Sequence, residues 1–209
     1  MRLIIIRHGA VSWNEAVDND PPLNETGHAQ ARRLGERFQG QKIDRLYCSP
    51  MARARQTAGY VAEAVGLTPE VLPWLREVCC PLLTDDEMSQ LEERPLEQWW
   101  EGFPGGEEPF RAFQDRVGAG IDGLLSQFGT RLGKRSEGAV PGPDERVCLV
   151  CHAGVTAALV GHLLRVPAVP WEWYRFGMGY TGVTHVRIRP LGDSMIASLT
   201  LFNCRKHLD

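Results

Sequence analysis

Three short stretches of this chain carry residues suited to handling an anion: Arg7-His8-Gly9, Ser49-Pro50 followed by Arg53 and Arg55, and Cys151-His152-Ala153-Gly154. An imidazole offers a nucleophilic or proton-accepting nitrogen near neutral pH. A guanidinium remains charged at every relevant pH and matches phosphate oxygens in pairs. Two histidines and one or two arginines brought together would form a pocket for a phosphoryl group, with enough positive charge to need no metal. Arg55, one turn into a helix, reads as a solvated charge. His28, His162, His185 and His207 lack such a placement and read as surface or structural residues.

Whether the three stretches meet depends on the elements carrying them. The apolar, mostly β-branched run Leu3, Ile4, Ile5, Ile6 is too short for an independent helix and reads as a strand buried on both faces. Its polar continuation therefore falls at a strand's carboxyl end, where open α/β sheets bind their ligands. A polar loop over residues 10–22 precedes an amphipathic helix that starts at Leu23–Gly27 and runs through Ala31, Leu34 and Phe38. Ile43–Cys48 reads as a second strand. Ser49 is then the expected N-cap, and Pro50 the first residue, of a helix ending at Gly66.

Val71–Leu75 is a weaker strand candidate because Pro73 interrupts it. A helix over 109–128 and a Gly/Pro-rich surface loop over 129–145 follow, then a buried strand at Val147–Cys151 and a helix at Val155–Leu164. Thr184–Ile188 and Ile196–Phe202 suit a closing hairpin at or near a sheet edge. Alternating strands and helices imply a three-layer α/β/α sandwich with a mostly parallel sheet. In such a sheet the strands ending at Arg7-His8, at Ser49 and at His152 emerge on one edge. The amino ends of the helices near residues 52 and 154 would add N–H donors there.

With 209 residues, one domain spanning 1–209 is expected, with 78–110 as an inserted cap. That segment is acidic (Asp85, Asp86, Glu87, Glu92, Glu93) and bears Trp99 and Trp100, which could either stack on a ligand or form the cap's own core. A net charge of −3 argues against nucleic-acid or membrane-surface partners, so any anion site must be local. Neither a signal-type start nor an apolar run of membrane-spanning length is present, and a cytoplasmic location is the expectation. The six cysteines are read as reduced. Cys148 and Cys151, three apart on a strand, point to opposite faces and cannot easily share a metal ion. No metal and no cofactor is expected. The edge left by the closing hairpin could pair with a second copy, giving a homodimer.

The matched pieces, in order, are Ile6-Arg7-His8-Gly9 with Trp13-Asn14, Pro22-Leu23-Asn24-Glu25-Thr26-Gly27 with Gln30-Ala31, and the run from Ser49 to Ala58. Leu75-Arg76-Glu77, Gly106-Glu107 before Arg116-Val117, and Val150-Cys151-His152-Ala153-Gly154 complete them. This combination resembles the histidine phosphatase superfamily, in its phosphoglycerate-mutase-like branch. The resemblance implies that His8 is the nucleophile that becomes phosphorylated and that Arg7, Arg53 and His152 hold the phosphoryl oxygens. It implies further that Asn14 and Ala153 contact phosphate and that Glu77 donates the proton to the leaving group. Gly9 would admit close backbone approach beside the phosphate.

Relative to the mutases of that branch, Glu77 is followed by Val78-Cys79-Cys80-Pro81 rather than an Arg-His-Tyr-Gly-like stretch, and no Gly-Asn follows Gly154. The secreted acid-phosphatase branch usually has a His-Asp pair where this chain has His152-Ala153. The expected activity is hydrolysis of a small phosphomonoester. The alternatives are mutase-type phosphoryl transfer and a phosphate-binding or interaction module that has lost turnover.

Overall fold

A computed structural model describes residues 1–12, 20–78, 85–134 and 144–209. Asn14, Cys79 and Cys80 lie outside the described residues, as do parts of the expected cap and of the 129–145 loop.

Seven strands form one mixed sheet: β1 (Arg2–Arg7), β2 (Arg45–Cys48), β3 (Glu70–Val71), β4 (Gly133–Lys134), β5 (Arg146–Cys151), β6 (Val183–Leu191) and β7 (Ser194–Cys204). Their order across the sheet is β3-β2-β5-β1-β6-β7-β4. The pairs β3/β2, β2/β5 and β5/β1 are parallel, whereas β1/β6, β6/β7 and β7/β4 are antiparallel. Helices cover both faces, so the α/β/α sandwich expected from the alternation is the observed architecture.

The helices α1 (Glu25–Phe38) and α2 (Ala52–Val65) close one face. Leu34, Phe38, Ala58 and Val61 from these helices pack on Ile4, Ile6, Cys48, Cys148 and Val150. On the other face, α4 (Phe110–Gln127) and α5 (Ala153–Leu163) set Phe113, Val117, Ile121 and Leu159 against Leu3, Ile5, Leu149 and Cys151. Cys148 and Cys151 thus belong to opposite cores, as their spacing on a strand requires. Burying side chains such as Ile5 or Leu149 on these faces is worth about 1.5–3 kcal/mol each.

The short helix α3 (Asp85–Glu92) and the 3₁₀ turn Leu96–Glu101 belong to the stretch expected as a cap, and α6 (Glu172–Arg175) packs beside them. Leu91 and Trp99 join the same hydrophobic cluster as α4 and α5. Trp99 is buried and stacks on Trp173 with ring centroids 6.4 Å apart. It is core. Trp100 lies under the Arg111 guanidinium, 3.7 Å from ring centroid to carbon.

Two expectations are corrected. The third strand occupies Glu70–Val71 rather than Val71–Leu75, because Pro73 starts a 3₁₀ turn over Pro73–Leu75. Ser49 does not cap α2: Met51 stands at the N-cap position without a side-chain cap bond, and Asp20 instead accepts the Ala52 amide at 3.0 and 2.9 Å. By contrast Asn24 caps α1, its side chain accepting from the Gly27 amide at 2.8 Å.

Candidate active site

The register of three adjacent parallel strands builds the site. Arg7 pairs with Cys151 across β1/β5, and Cys48 with Val150 across β2/β5. The ladder continues past the strands, with the His8 amide donating to Cys151 O at 2.9 Å and the Ser49 amide to Val150 O at 2.9 Å. His8, Ser49 and His152 consequently leave the sheet at one level, with His152 on the central strand of the three.

His8 is buried, and its Nδ1 lies 2.7 Å from the Gly9 carbonyl. A carbonyl oxygen only accepts, so Nδ1 carries the proton and Nε2 keeps its lone pair. Arg53 Nε donates to that Nε2 at 3.3 Å. Burial, then the Arg53 cation, and lastly Arg7, hold the His8 imidazolium well below the usual histidine range against the opposing pull of the Gly9 carbonyl. His8 is therefore neutral near pH 7 with a bare nitrogen beside two guanidinium groups.

Arg53 is buried while Arg55 is exposed, as their positions on α2 suggested. The Arg53 guanidinium also pairs with Asp20 at 3.1 Å. Arg7 donates through Nη1 to the Met178 carbonyl and rests on the Tyr180 ring, 4.2 Å from its centroid. Arg7 Nε is buried with no hydrogen-bond partner among the described residues. His152 is fully buried with its ring centroid 5.0 Å from that of His8. Burial, reinforced by His8, Arg53, Arg7 and Arg116, keeps it neutral as well.

Glu77 sits over the amino end of α5. Its Oε2 accepts the Gly154 amide at 2.9 Å, and its Oε1 accepts the Val78 amide at 3.1 Å. Burial pushes this carboxyl up, and the two amides and the arginines only partly offset it. A Cβ on Gly154 would stand 2.6 Å from Glu77 Oε1, so the carboxyl can sit here only because this residue has no side chain. Ala153 opens α5 immediately before it.

Arg7, His8, Arg53, Glu77 and His152 are thus brought into one cluster, while Asn14 falls outside the described residues. A Cβ on Gly9 would lie 2.7 Å from the Gly27 carbonyl, so the absence of a side chain there permits contact with the start of α1. Sequence reasoning assigned no role at the site to Tyr180, Asp20 or Thr57, whose Oγ1 accepts the Gly9 amide at 3.1 Å. Thr57 lay within a quoted motif. Tyr180, in the loop before β6, carried no periodic or motif signal.

Comparison with known proteins bears directly on this cluster. A family profile described as the histidine phosphatase superfamily (branch 1) matches residues 3–197. The chain belongs to that superfamily. The family's phosphohistidine chemistry provides the context for a buried, neutral histidine between two arginines. The chain is 32% identical over 180 residues to a Yersinia pestis protein named "Probable phosphoglycerate mutase GpmB", covering 80% of this chain and 77% of the relative. A Photorhabdus laumondii protein of the same name is 30% identical over 175 residues.

Among solved structures, mycobacterial glucosyl-3-phosphoglycerate phosphatase with inorganic phosphate superposes with a TM-score of 0.76 at 26% identity, covering 100% of this chain and 99% of that one. A phosphoserine phosphatase from Entamoeba histolytica shares the fold at 21% identity with a TM-score of 0.74, covering 99% and 98%. Among the described residues no helix is long and apolar enough to cross a membrane, and no three His, Cys, Asp or Glu side chains are grouped to hold a metal ion.

Proposed function

We propose that this protein hydrolyses a small phosphomonoester through a phosphohistidine formed on His8 Nε2. The observation that carries the reading is the contact between His8 Nδ1 and the Gly9 carbonyl, which leaves Nε2 unprotonated, its lone pair facing the Arg53 Nε donor. In the first step the Nε2 lone pair bonds to phosphorus and the ester P–O bond breaks. The proton held by Glu77 goes to the departing oxygen, and the raised carboxyl pKa keeps that proton available. In the second step the Glu77 carboxylate takes a proton from water as its oxygen bonds to phosphorus. The P–N bond breaks, inorganic phosphate leaves and Nε2 regains its lone pair.

Arg7, Arg53 and His152 supply the positive charge and N–H groups that the three equatorial oxygens need, with Asn14 and Ala153 as further phosphate contacts, so the reaction calls for neither metal nor cofactor. The partner is a small phosphorylated molecule, and a cytoplasmic setting suits such a substrate. Residues 78–110 act as the specificity cap of a single-domain enzyme.

The names of the Yersinia and Photorhabdus relatives favour a second reading, phosphoryl transfer between positions of a phosphoglycerate. It differs only in the acceptor that attacks phosphohistidine. Wild type should release phosphate from p-nitrophenyl phosphate in EDTA, and His8→Ala should not. Wild-type inactivity from acidic to neutral pH would reject the hydrolase reading. A phosphoglycerate isomerised faster than it releases phosphate would favour the mutase.

A further inference from the structure

Ser49 is completely buried, yet neither capping nor the phosphoryl chemistry above accounts for it. Its Oγ lies 2.8 Å from His152 Nε2 and accepts the Met51 amide at 3.3 Å. The neighbouring strands β2 and β5 put it there, since Ser49 and His152 each follow the last residue of strands paired in register.

The direction of the Ser49–His152 bond follows from accounting for protons. Burial beside His8 and the arginines keeps His152 neutral, so its ring has one N–H and one lone pair. If Nε2 carried the proton and donated to Ser49, the serine's own hydroxyl proton would have no acceptor among the described residues. Nδ1, which is buried, has no partner among those residues in either tautomer, so the serine hydroxyl decides between them. Each stranded buried group costs about 1–3 kcal/mol. If Ser49 donates to Nε2 instead, its hydroxyl is satisfied, and the imidazole proton resides on Nδ1.

We propose that Ser49 is a positioning residue that holds His152 as the Nδ1–H tautomer, so that His152 offers a proton rather than a lone pair to a phosphoryl oxygen. The inference rests on the phosphoryl-site reading for the identity of that acceptor. His8 and His152 then carry the same tautomer but use opposite ends of the ring. His8 keeps its unprotonated Nε2 for phosphorus, and His152 spends its own on Ser49.

The test is the protonation pattern of His152 in the full-length protein, read from two-bond ¹⁵N–¹H correlations and assigned with His152→Asn. The expected result is Nδ1–H in wild type, a shift of population toward Nε2–H in Ser49→Ala, and recovery in Ser49→Thr, which keeps the hydroxyl. In parallel, vanadate affinity and kcat/KM for p-nitrophenyl phosphate should fall by about 10- to 100-fold in Ser49→Ala, the worth of one hydrogen bond to a charged group.

An Nε2–H pattern in wild type would overturn the proposal, as would a Ser49→Ala protein with unchanged tautomer and unchanged vanadate affinity. Should Ser49→Ala fail to fold, the wild-type spectrum alone still decides. A wild type that hydrolyses no ester, yet whose His152 tautomer and vanadate affinity respond to Ser49, would reject the hydrolase reading and leave this assignment standing.

Discussion

Glu77 is the residue whose environment makes the sharpest prediction at the level of a single side chain. A carboxyl needed as an acid must retain its proton at working pH, and burial raises its pKa for that task, against the Gly154 and Val78 amides and the arginines, which pull it down. Turnover then requires His8 unprotonated and Glu77 protonated. The acid limb of the rate profile is set by the lowered His8 value and the alkaline limb by the raised Glu77 value. Glu77→Gln should remove the alkaline limb and slow hydrolysis of alkyl phosphates by about 10²–10⁴-fold. With p-nitrophenyl phosphate, whose leaving group departs without a proton, the variant should still release p-nitrophenol in a fast burst as His8 is phosphorylated, because only the later attack of water then lacks Glu77. A burst slowed as much as the turnover of alkyl phosphates would contradict the assignment.

Gly154→Ala tests the same group from the backbone side. The added Cβ would meet Glu77 Oε1 at 2.6 Å, so the carboxyl must shift. Activity on alkyl phosphates should drop more than activity on p-nitrophenyl phosphate, as a comparison of kcat values would show.

Between elements, Arg116 of α4 braces the segment that carries Glu77. Its Nη1 donates to the Trp74 and Arg76 carbonyls at 2.7 and 3.0 Å, while Glu108 holds its other edge. Arg116→Met keeps much of the stem and removes these bonds. It should lower kcat on alkyl phosphates and reduce stability to urea by about 1 kcal/mol, the worth of hydrogen bonds to half-buried carbonyls. Unchanged kinetics would show that Glu77 is held without it.

At this scale the sequence was most informative where period and burial agree. The run Leu3–Ile6 could only be a two-faced strand, and β1, β2 and β5 carry His8, Ser49 and His152 to one edge. What could not be read were contacts set by tertiary packing. The Ala52 amide at the start of α2 meets Asp20, 32 positions earlier in the chain, while Ser49 keeps only the Met51 amide. The Tyr180 ring reaches Arg7 from 173 positions away, from a loop with no pattern to announce it.

For the whole molecule, the buried cluster couples function to acid stability. His8 and His152 stay neutral when folded, chiefly because burial disfavours their cations, whereas the unfolded chain protonates them near pH 6.5. Below that pH the unfolded state binds more protons, so their contribution is intact above about 6.5 and is lost as pH falls. Glu77, raised on folding, acts in the opposite sense and favours the folded state at low pH. Two histidines outweigh one carboxyl between about pH 6.5 and 5.5. The urea midpoint should therefore fall across that range, by up to about 1.4 kcal/mol per histidine per pH unit. His152→Asn should flatten the slope, and an unaltered slope would mean that His152 protonates freely in the folded state.

The proposed reaction depends on one atom, His8 Nε2, being the site that accepts phosphorus. Rapid quenching of wild type during turnover of a labelled phosphomonoester, followed by peptide mapping under alkaline conditions, tests this directly. The expected result is an acid-labile, base-stable label on His8, bonded through Nε2 and absent from His8→Ala. Turnover with the label on another residue or on Nδ1, or with no phosphoprotein under conditions that should trap one, would contradict it.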